Sequence, residues 1–282
     1  MAQTNTIMVV GAGQMGRGIA LLSARCGFQV LLHDLLEAHL QESISAIGLE
    51  LPSHPELSKT GADRVLGRIH PTTSLQDSVR ADFVIETATE NITIKQQIFT
   101  ALSNYTTQHT VLATNTSSLS ISDIASATDC PERVIGLHFM YPVMSMQLVE
   151  MIRGLKTSEH TCNITRILAD KLGKQAIEVN DYPGFVSNRL LMPMINEAII
   201  LVFDGVADVE SVDRIMQLGM QYPLGPLQMA DMIGLDTCLS IMEILHRSLG
   251  EPKYRPCPLL RTMVKAGKLG RKSGEGFYFY DN

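Results

Sequence analysis

Between an apolar run and a helical pattern near the N-terminus stands Gly11-Ala12-Gly13-Gln14-Met15-Gly16, which constrains the fold more than any other feature. Ile7-Met8-Val9-Val10 before it is apolar and mostly β-branched, as expected of a strand buried on both faces. After the loop, helical periodicity runs from Met15 to Cys26, and Gly27 stops it where a left-handed C-cap is wanted. A second strand, Gln29 to Leu32, leads into His33-Asp34. In such a βαβ unit Gly11 permits the tight turn, Gly13 lets backbone approach a pyrophosphate, and Gly16 lets helix and strand pack closely. The helix start then points its free amides and positive dipole end at the phosphates. Asp34, 23 residues after Gly11, is placed to accept hydrogen bonds from ribose hydroxyls. Its charge repels a 2′-phosphate and no arginine follows it, so the expected cofactor is NAD rather than NADP, with FAD a weaker competitor.

Further strands are expected at Asp82 to Glu86, Thr110 to Ala113 and Val134 to His138, with helices at about Ile92 to Thr107 and Ser120 to Ala127. This alternation predicts an α/β fold of Rossmann type, a doubly wound and mainly parallel sheet with crossover helices. In open sheets of this kind ligands bind beyond the carboxyl ends of the strands. The glycine turn, Asp34, Glu86 to Glu90, Asn115 to Ser118 and His138 all fall at those ends, so one edge of the sheet is the expected site. After residue 183 helical periodicity takes over, in Val186 to Asp204, Val209 to Met220, Leu235 to Leu249 and Leu259 to Ala266. Gly219, Pro223-Leu224-Gly225-Pro226 and Gly250 are the expected breakers between them, and Asp181-Tyr182-Pro183-Gly184 the joint. The reading is therefore an NAD-binding domain over 1–183 and an all-helical domain over 184–282, the latter closing the substrate site and burying an apolar face in a homodimer. Glu42 to Arg68 reads as a helix followed by an irregular excursion, because Pro52 and Pro55 interrupt it.

Composition narrows the partners. A net charge of −6 carries no nucleic-acid footprint, and no apolar run is long enough for a membrane span. Five scattered cysteines without a CxxC pair favour reduced thiols, and the expected location is the cytoplasm.

Seven further segments carry a resemblance. They are Thr114 to Ser118, Gly136-Leu137-His138-Phe139, Leu148-Val149-Glu150, Pro183 to Arg189, Tyr222 to Pro226, Gly234 to Thr237 and Lys272 to Tyr278. In this order, across nearly the whole chain, they resemble the L-3-hydroxyacyl-CoA dehydrogenase family, and the chain's length suits its short stand-alone members. The resemblance implies a catalytic pair, His138 and Glu150, with Ser117 and Asn188 contacting the substrate oxygen. It also implies NAD contacts at Asp34, Glu90, Lys95 and Asn115, and a 3-hydroxyacyl thioester as substrate.

The chemistry agrees with those roles. Oxidising a secondary alcohol needs a base for the hydroxyl proton, and imidazole titrates near the working pH. A carboxylate on the far ring nitrogen fixes the tautomer, and Ser117 and Asn188 are donors for an oxygen that gains charge on reduction. Taken singly, the same residues have plainer readings: His138 as a hydrogen-bonded core residue, Glu150 as a surface carboxylate, Asn188 as a helix-start residue, Lys95 as a solvated helix charge.

Two departures bear on the substrate. Tyr141 and Gln147 stand where the family has asparagine and lysine, and Ala38 to Leu57 holds no Lys or Arg where the family has a lysine-rich helix. Lys59, Arg64 and Arg68 replace those cations only if the excursion folds back. The acyl carrier is thus CoA or, alternatively, an acyl carrier protein, with a free hydroxy acid as a further alternative. A non-catalytic, crystallin-like NAD-binding protein is the reading from another class.

Overall fold

The structure, a computed structural model, describes residues 4–51 and 59–280; the expected Pro52 and Pro55 interruption and the Lys59 side chain lie outside the described residues. The chain divides into two compact units between Asp181 and Tyr182.

The first unit is built on one eight-stranded sheet in the order β3-β2-β1-β4-β5-β6-β7-β8. The strands are β1 (Thr6–Val10), β2 (Gln29–His33), β3 (Ile69–Thr72), β4 (Phe83–Glu86), β5 (Val111–Thr114), β6 (Val134–Phe139), β7 (Leu148–Arg153) and β8 (Gln175–Asn180). From β3 through β6 every pairing is parallel, which gives the doubly wound arrangement the sequence predicts. β1, β4 and β5 are mostly apolar and buried, Thr6 alone being half-buried, because helices cover both faces. Among the described residues this unit has the α-helices α1 (Gln14–Arg25), α2 (Glu37–Glu50), α3 (Lys59–Leu66), α4 (Ile92–Tyr105), α5 (Ile121–Ala125) and α6 (Glu159–Lys171). Ile19, Leu21 and Leu22 of α1 pack with Ile7 and Val9 of β1 and Val30 and Leu32 of β2 in the central core.

Three strands and α6 go beyond the sequence reading, and each of the strands has a physical reason. β3 contains Pro71, which lacks a ladder donor and is tolerated because β3 is the sheet's edge. β8 is the opposite edge and is largely exposed, so it lacks the apolar run of a buried strand. β7 is antiparallel to β6, and this reversal returns the chain beside the strand that carries His138. The expected excursion after α2 is corrected at its end, where α3 forms and Arg68 Nη1 donates to the Ala24 carbonyl at 3.0 Å.

The second unit is helical: α7 (Ser187–Phe203), α8 (Val209–Met220), α9 (Pro226–Ile233), α10 (Leu235–Leu249) and α11 (Pro258–Lys265). Gly219 lies inside α8 rather than breaking it. The expected Pro223 to Pro226 break instead launches α9, with Pro226 in the first turn where its missing N–H costs nothing. Asp213, buried, caps α9 from a distance by accepting from the backbone N–H groups of Leu227 (2.8 Å) and Gln228 (2.9 Å). Asp231 is a second buried staple and accepts from the N–H groups of Phe277 and Tyr278 and the hydroxyl of Tyr280. No helix among the described residues is long and apolar enough to cross a membrane.

Candidate active site

The carboxyl ends of β1, β2, β4, β5 and β6 gather nearly all the polar residues singled out in the sequence, and the loops fix how each is presented. Gly11 sits at φ +105°, a conformation side chains rarely adopt, and a Cβ there would press on the Thr87 backbone. A Cβ on Gly16 would run into the Gly11 carbonyl. Gly13 differs, because no atom lies within 4 Å of where its Cβ would be. Packing therefore demands two of the glycines, while the third leaves open space over the loop. That is the room a pyrophosphate needs at the start of α1, whose N-cap supplies no side-chain acceptor. The loop fits a dinucleotide.

Asp34 follows β2 and faces back to the glycine loop. Its Oδ2 accepts from Ala12 N–H at 2.9 Å, and Oδ1 accepts from Leu36 N–H at 3.2 Å and meets His39 Nδ1 at 3.0 Å. Partial burial pushes its carboxyl up, but the Ala12, Leu36 and His39 donors outweigh that and hold it below the usual range. It stays a carboxylate at neutral pH. The neighbouring His33 is buried with neither ring nitrogen hydrogen-bonded, and burial lowers its pKa.

His138 and Glu150 are directly opposed across the antiparallel β6–β7 pair. The register places His138 Nδ1 2.8 Å from Glu150 Oε2, with both residues buried. A carboxylate has no proton to give at this position, so Nδ1–H is the donor.

Asn115 and the Thr116–Ser118 turn follow β5. Asn115 Oδ1 accepts the Phe139 N–H at 2.8 Å, one residue after His138, so the turn and the histidine strand are tied together. Ser117 donates to Glu90 Oε1 through both its N–H (2.9 Å) and its hydroxyl (3.2 Å). Thr116 Oγ1 (2.6 Å) and Ser118 Oγ (3.2 Å) donate to the same oxygen. Lys95, expected beside the cofactor, is 1 % exposed and bonded to Glu86. Asn188 is buried in the first turn of α7, in the helical unit.

Sequence reasoning placed Thr87 and Glu86 at this edge without assigning them a role, and missed Lys174. Thr87 braces the glycine loop, its hydroxyl donating to the carbonyls of Val10 (3.0 Å) and Gly11 (2.9 Å). Glu86 accepts from Lys95, Thr114 and Ala88, and the available signal was a carboxylate ending a fully buried strand. Lys174 is buried and donates to the Val143 and Met146 carbonyls, both at 2.6 Å, which pins the β6–β7 connection bearing Tyr141. Burial lowers the pKa of its ammonium.

Comparison with known proteins gives one consistent result. Residues 6–182 match the model for the NAD binding domain of 3-hydroxyacyl-CoA dehydrogenase, and residues 184–280 match the model for its C-terminal domain. A probable 3-hydroxybutyryl-CoA dehydrogenase of Bacillus subtilis (strain 168) is 53% identical over 98% of this chain and 97% of its own. A 3-hydroxybutyryl-CoA dehydrogenase of Bradyrhizobium diazoefficiens is 47% identical over 96% of this chain and 94% of its own. The crystal structure of (S)-3-hydroxybutyryl-CoA dehydrogenase from Ralstonia eutropha superposes with a TM-score of 0.94 at 43% identity, covering 99% of this chain and all of that one.

Proposed function

Because this chain belongs to the 3-hydroxyacyl-CoA dehydrogenase family and is an NAD-dependent oxidoreductase, we propose that it interconverts short 3-hydroxyacyl-CoA and 3-oxoacyl-CoA thioesters, 3-hydroxybutyryl-CoA first among them. The observation that carries the catalytic assignment is the buried His138–Glu150 pair, 2.8 Å apart at the edge where the dinucleotide loop opens.

In the oxidative direction His138 takes the hydroxyl proton through Nε2. NAD held at the glycine loop would supply the hydride acceptor for the carbon that bears the hydroxyl. Glu150 fixes the tautomer by holding Nδ1–H and stabilises the imidazolium that forms. Ser117 and Asn188 donate to the substrate oxygen, where negative charge grows during reduction. Ser117 does so by turning its hydroxyl from Glu90 to the oxygen, while its N–H remains on Glu90. Gly11, Gly13, Gly16 and Asp34 would hold NAD, with Asn115 and Glu90 lining the same edge.

The absence of Lys and Arg in Ala38 to Leu57 bears on the acyl carrier, since cations are the usual partners of CoA phosphates. Loss of NADH absorbance with acetoacetyl-CoA, run beside the same acyl group on an acyl carrier protein, decides between them. Rapid turnover of the CoA ester is expected; turnover of the carrier-bound substrate alone would overturn the CoA assignment. Inactivity with both would reopen the free hydroxy acid. Exposed apolar residues on α7 and α8 support a homodimer through the helical unit, and five free cysteines support a reducing compartment such as the cytoplasm.

A further inference from the structure

The connection between the two strands of the His138–Glu150 pair is held from both sides. Residues 140–147 join β6, which ends one residue after His138, to β7, which carries Glu150. The Pro142 carbonyl folds this connection on itself by accepting from the N–H groups of Ser145 (3.2 Å) and Met146 (3.1 Å). Lys174 holds one side. Gly173, at φ +68°, ends α6 and turns the chain so that Lys174 N–H meets the Ala169 carbonyl at 2.9 Å. From there the buried ammonium donates to the carbonyls of Val143 and Met146, both at 2.6 Å. The next residue, Gln175, donates its N–H to the Gln147 carbonyl at 2.8 Å.

The other side of the connection rests on the cofactor helix. Val143 is buried against Gly18, in the second turn of α1, where an added Cβ would come within 3.0 Å of Val143 Cγ2 and 3.1 Å of its Cβ. Glycine at this position is what lets the connection lie so close to the helix.

Stability is a poor account of Lys174. A buried ammonium loses its hydration, and both of its short bonds go to main-chain carbonyls rather than to a carboxylate. What they add is a fixed geometry. The connection touches α1 at Val143 and runs directly from the strand that bears His138, so holding it holds the histidine relative to the helix behind the glycine loop.

We propose that Lys174 is a positioning residue: its ammonium clamps the β6–β7 connection against Gly18 of α1 and so keeps His138 in register with the dinucleotide loop. The proposal rests on the reading of His138 as the acid–base group given above.

The test uses the full-length enzyme. Lys174→Met removes the clamp, and Gly18→Ala pushes the connection from the other side, although alanine suits a helix interior at least as well as glycine. Each is expected to slow single-turnover oxidation of NADH by acetoacetyl-CoA about 10- to 100-fold, the scale of a small misplacement of a reacting group. NADH affinity, followed by cofactor fluorescence in a chain without tryptophan, is expected to stay near the wild-type value. Val143→Ala gives back the space that Gly18→Ala takes, so the two together are expected to regain most of the lost rate. In a His138→Ala background Lys174→Met is expected to cost little further, a coupling that a merely structural lysine would not produce. A wild-type rate in a folded Lys174→Met protein overturns the proposal, and so does a loss of NADH affinity as large as the loss of rate. Should thermal melting show that Lys174→Met does not fold, the Gly18→Ala and Val143→Ala pair carries the test, and failure of the second change to restore the rate overturns it. If His138→Ala is itself fully active, the reading of His138 fails, which is a separate result.

Discussion

Asp34 and His138 show how neighbours rather than residue type decide what a side chain does. Asp34 is a carboxylate that both packs the glycine loop, through Ala12 N–H, and is proposed to receive the ribose. Its donors hold its pKa below the unfolded value of about 3.9. A depressed carboxylate contributes stability that is present above the unfolded value and lost as pH falls through the folded one. The thermal midpoint is therefore expected to drop on acidification through that window, and Asp34→Ala is expected to remove part of the drop. Calorimetry across the window checks this, and identical slopes for both proteins would contradict it. At His138 the buried partner is Glu150, so in the proposed mechanism the imidazolium meets a carboxylate already beside it. His138→Ala is expected to lower kcat by about 100- to 10,000-fold, the range of general base catalysis, with NADH affinity unchanged. Steady-state rates beside a fluorescence titration check both halves. An active His138→Ala enzyme would move the base to another residue.

At the scale of elements, the glycine loop sets open space at Gly13 beside close packing at Gly16. A side chain at Gly16 collides with the Gly11 carbonyl, whereas one at Gly13 meets nothing within 4 Å. Gly16→Ala is thus expected to displace α1 from β1, lowering both the melting temperature and NADH affinity. Gly13→Ala is expected to leave the melting temperature near wild type while weakening NADH, because the added methyl fills space left for the phosphates. If Gly13→Ala bound NADH normally, that space would not be the pyrophosphate site. The loop was legible in the sequence because its strand, turn, helix and acid are contiguous and each obeys a local rule. The sheet's edges were not: Pro71 disguises β3, and the exposed β8 has no core face to set a pattern. His138 and Glu150 are 12 residues apart, and only the antiparallel β6–β7 register makes them partners. The motif resemblance could pair them, but periodicity could not. The pairing of Glu86 with Lys95 escaped for a related reason, since their contact spans a strand end, a loop and the first turn of a helix.

At the scale of the whole molecule, the helical unit leaves apolar surface uncovered. Within that unit α8 buries Val212 and Asp213 against its neighbours, yet Ile215 is 61% exposed and Leu218 75% exposed. On α7, Leu190 is 70% exposed and Phe203 54% exposed. Apolar residues scattered singly over a surface need no explanation, but a helix apolar on its inner and outer sides alike calls for a second cover. A second copy of the chain, as proposed above, would satisfy this by a symmetric contact in which each α8 supplies the patch that the other needs. The enzyme is therefore expected to sediment as a dimer at assay concentrations. Leu218→Glu, which puts a carboxylate into the patch, is expected to yield monomers without unfolding the helix, since that side chain faces away from the unit's core. Dimerisation also makes the thermal midpoint rise with protein concentration, and the Leu218→Glu midpoint is expected to lose that dependence. A wild-type protein that sediments as a monomer, with a concentration-independent midpoint, would leave this surface to a different partner.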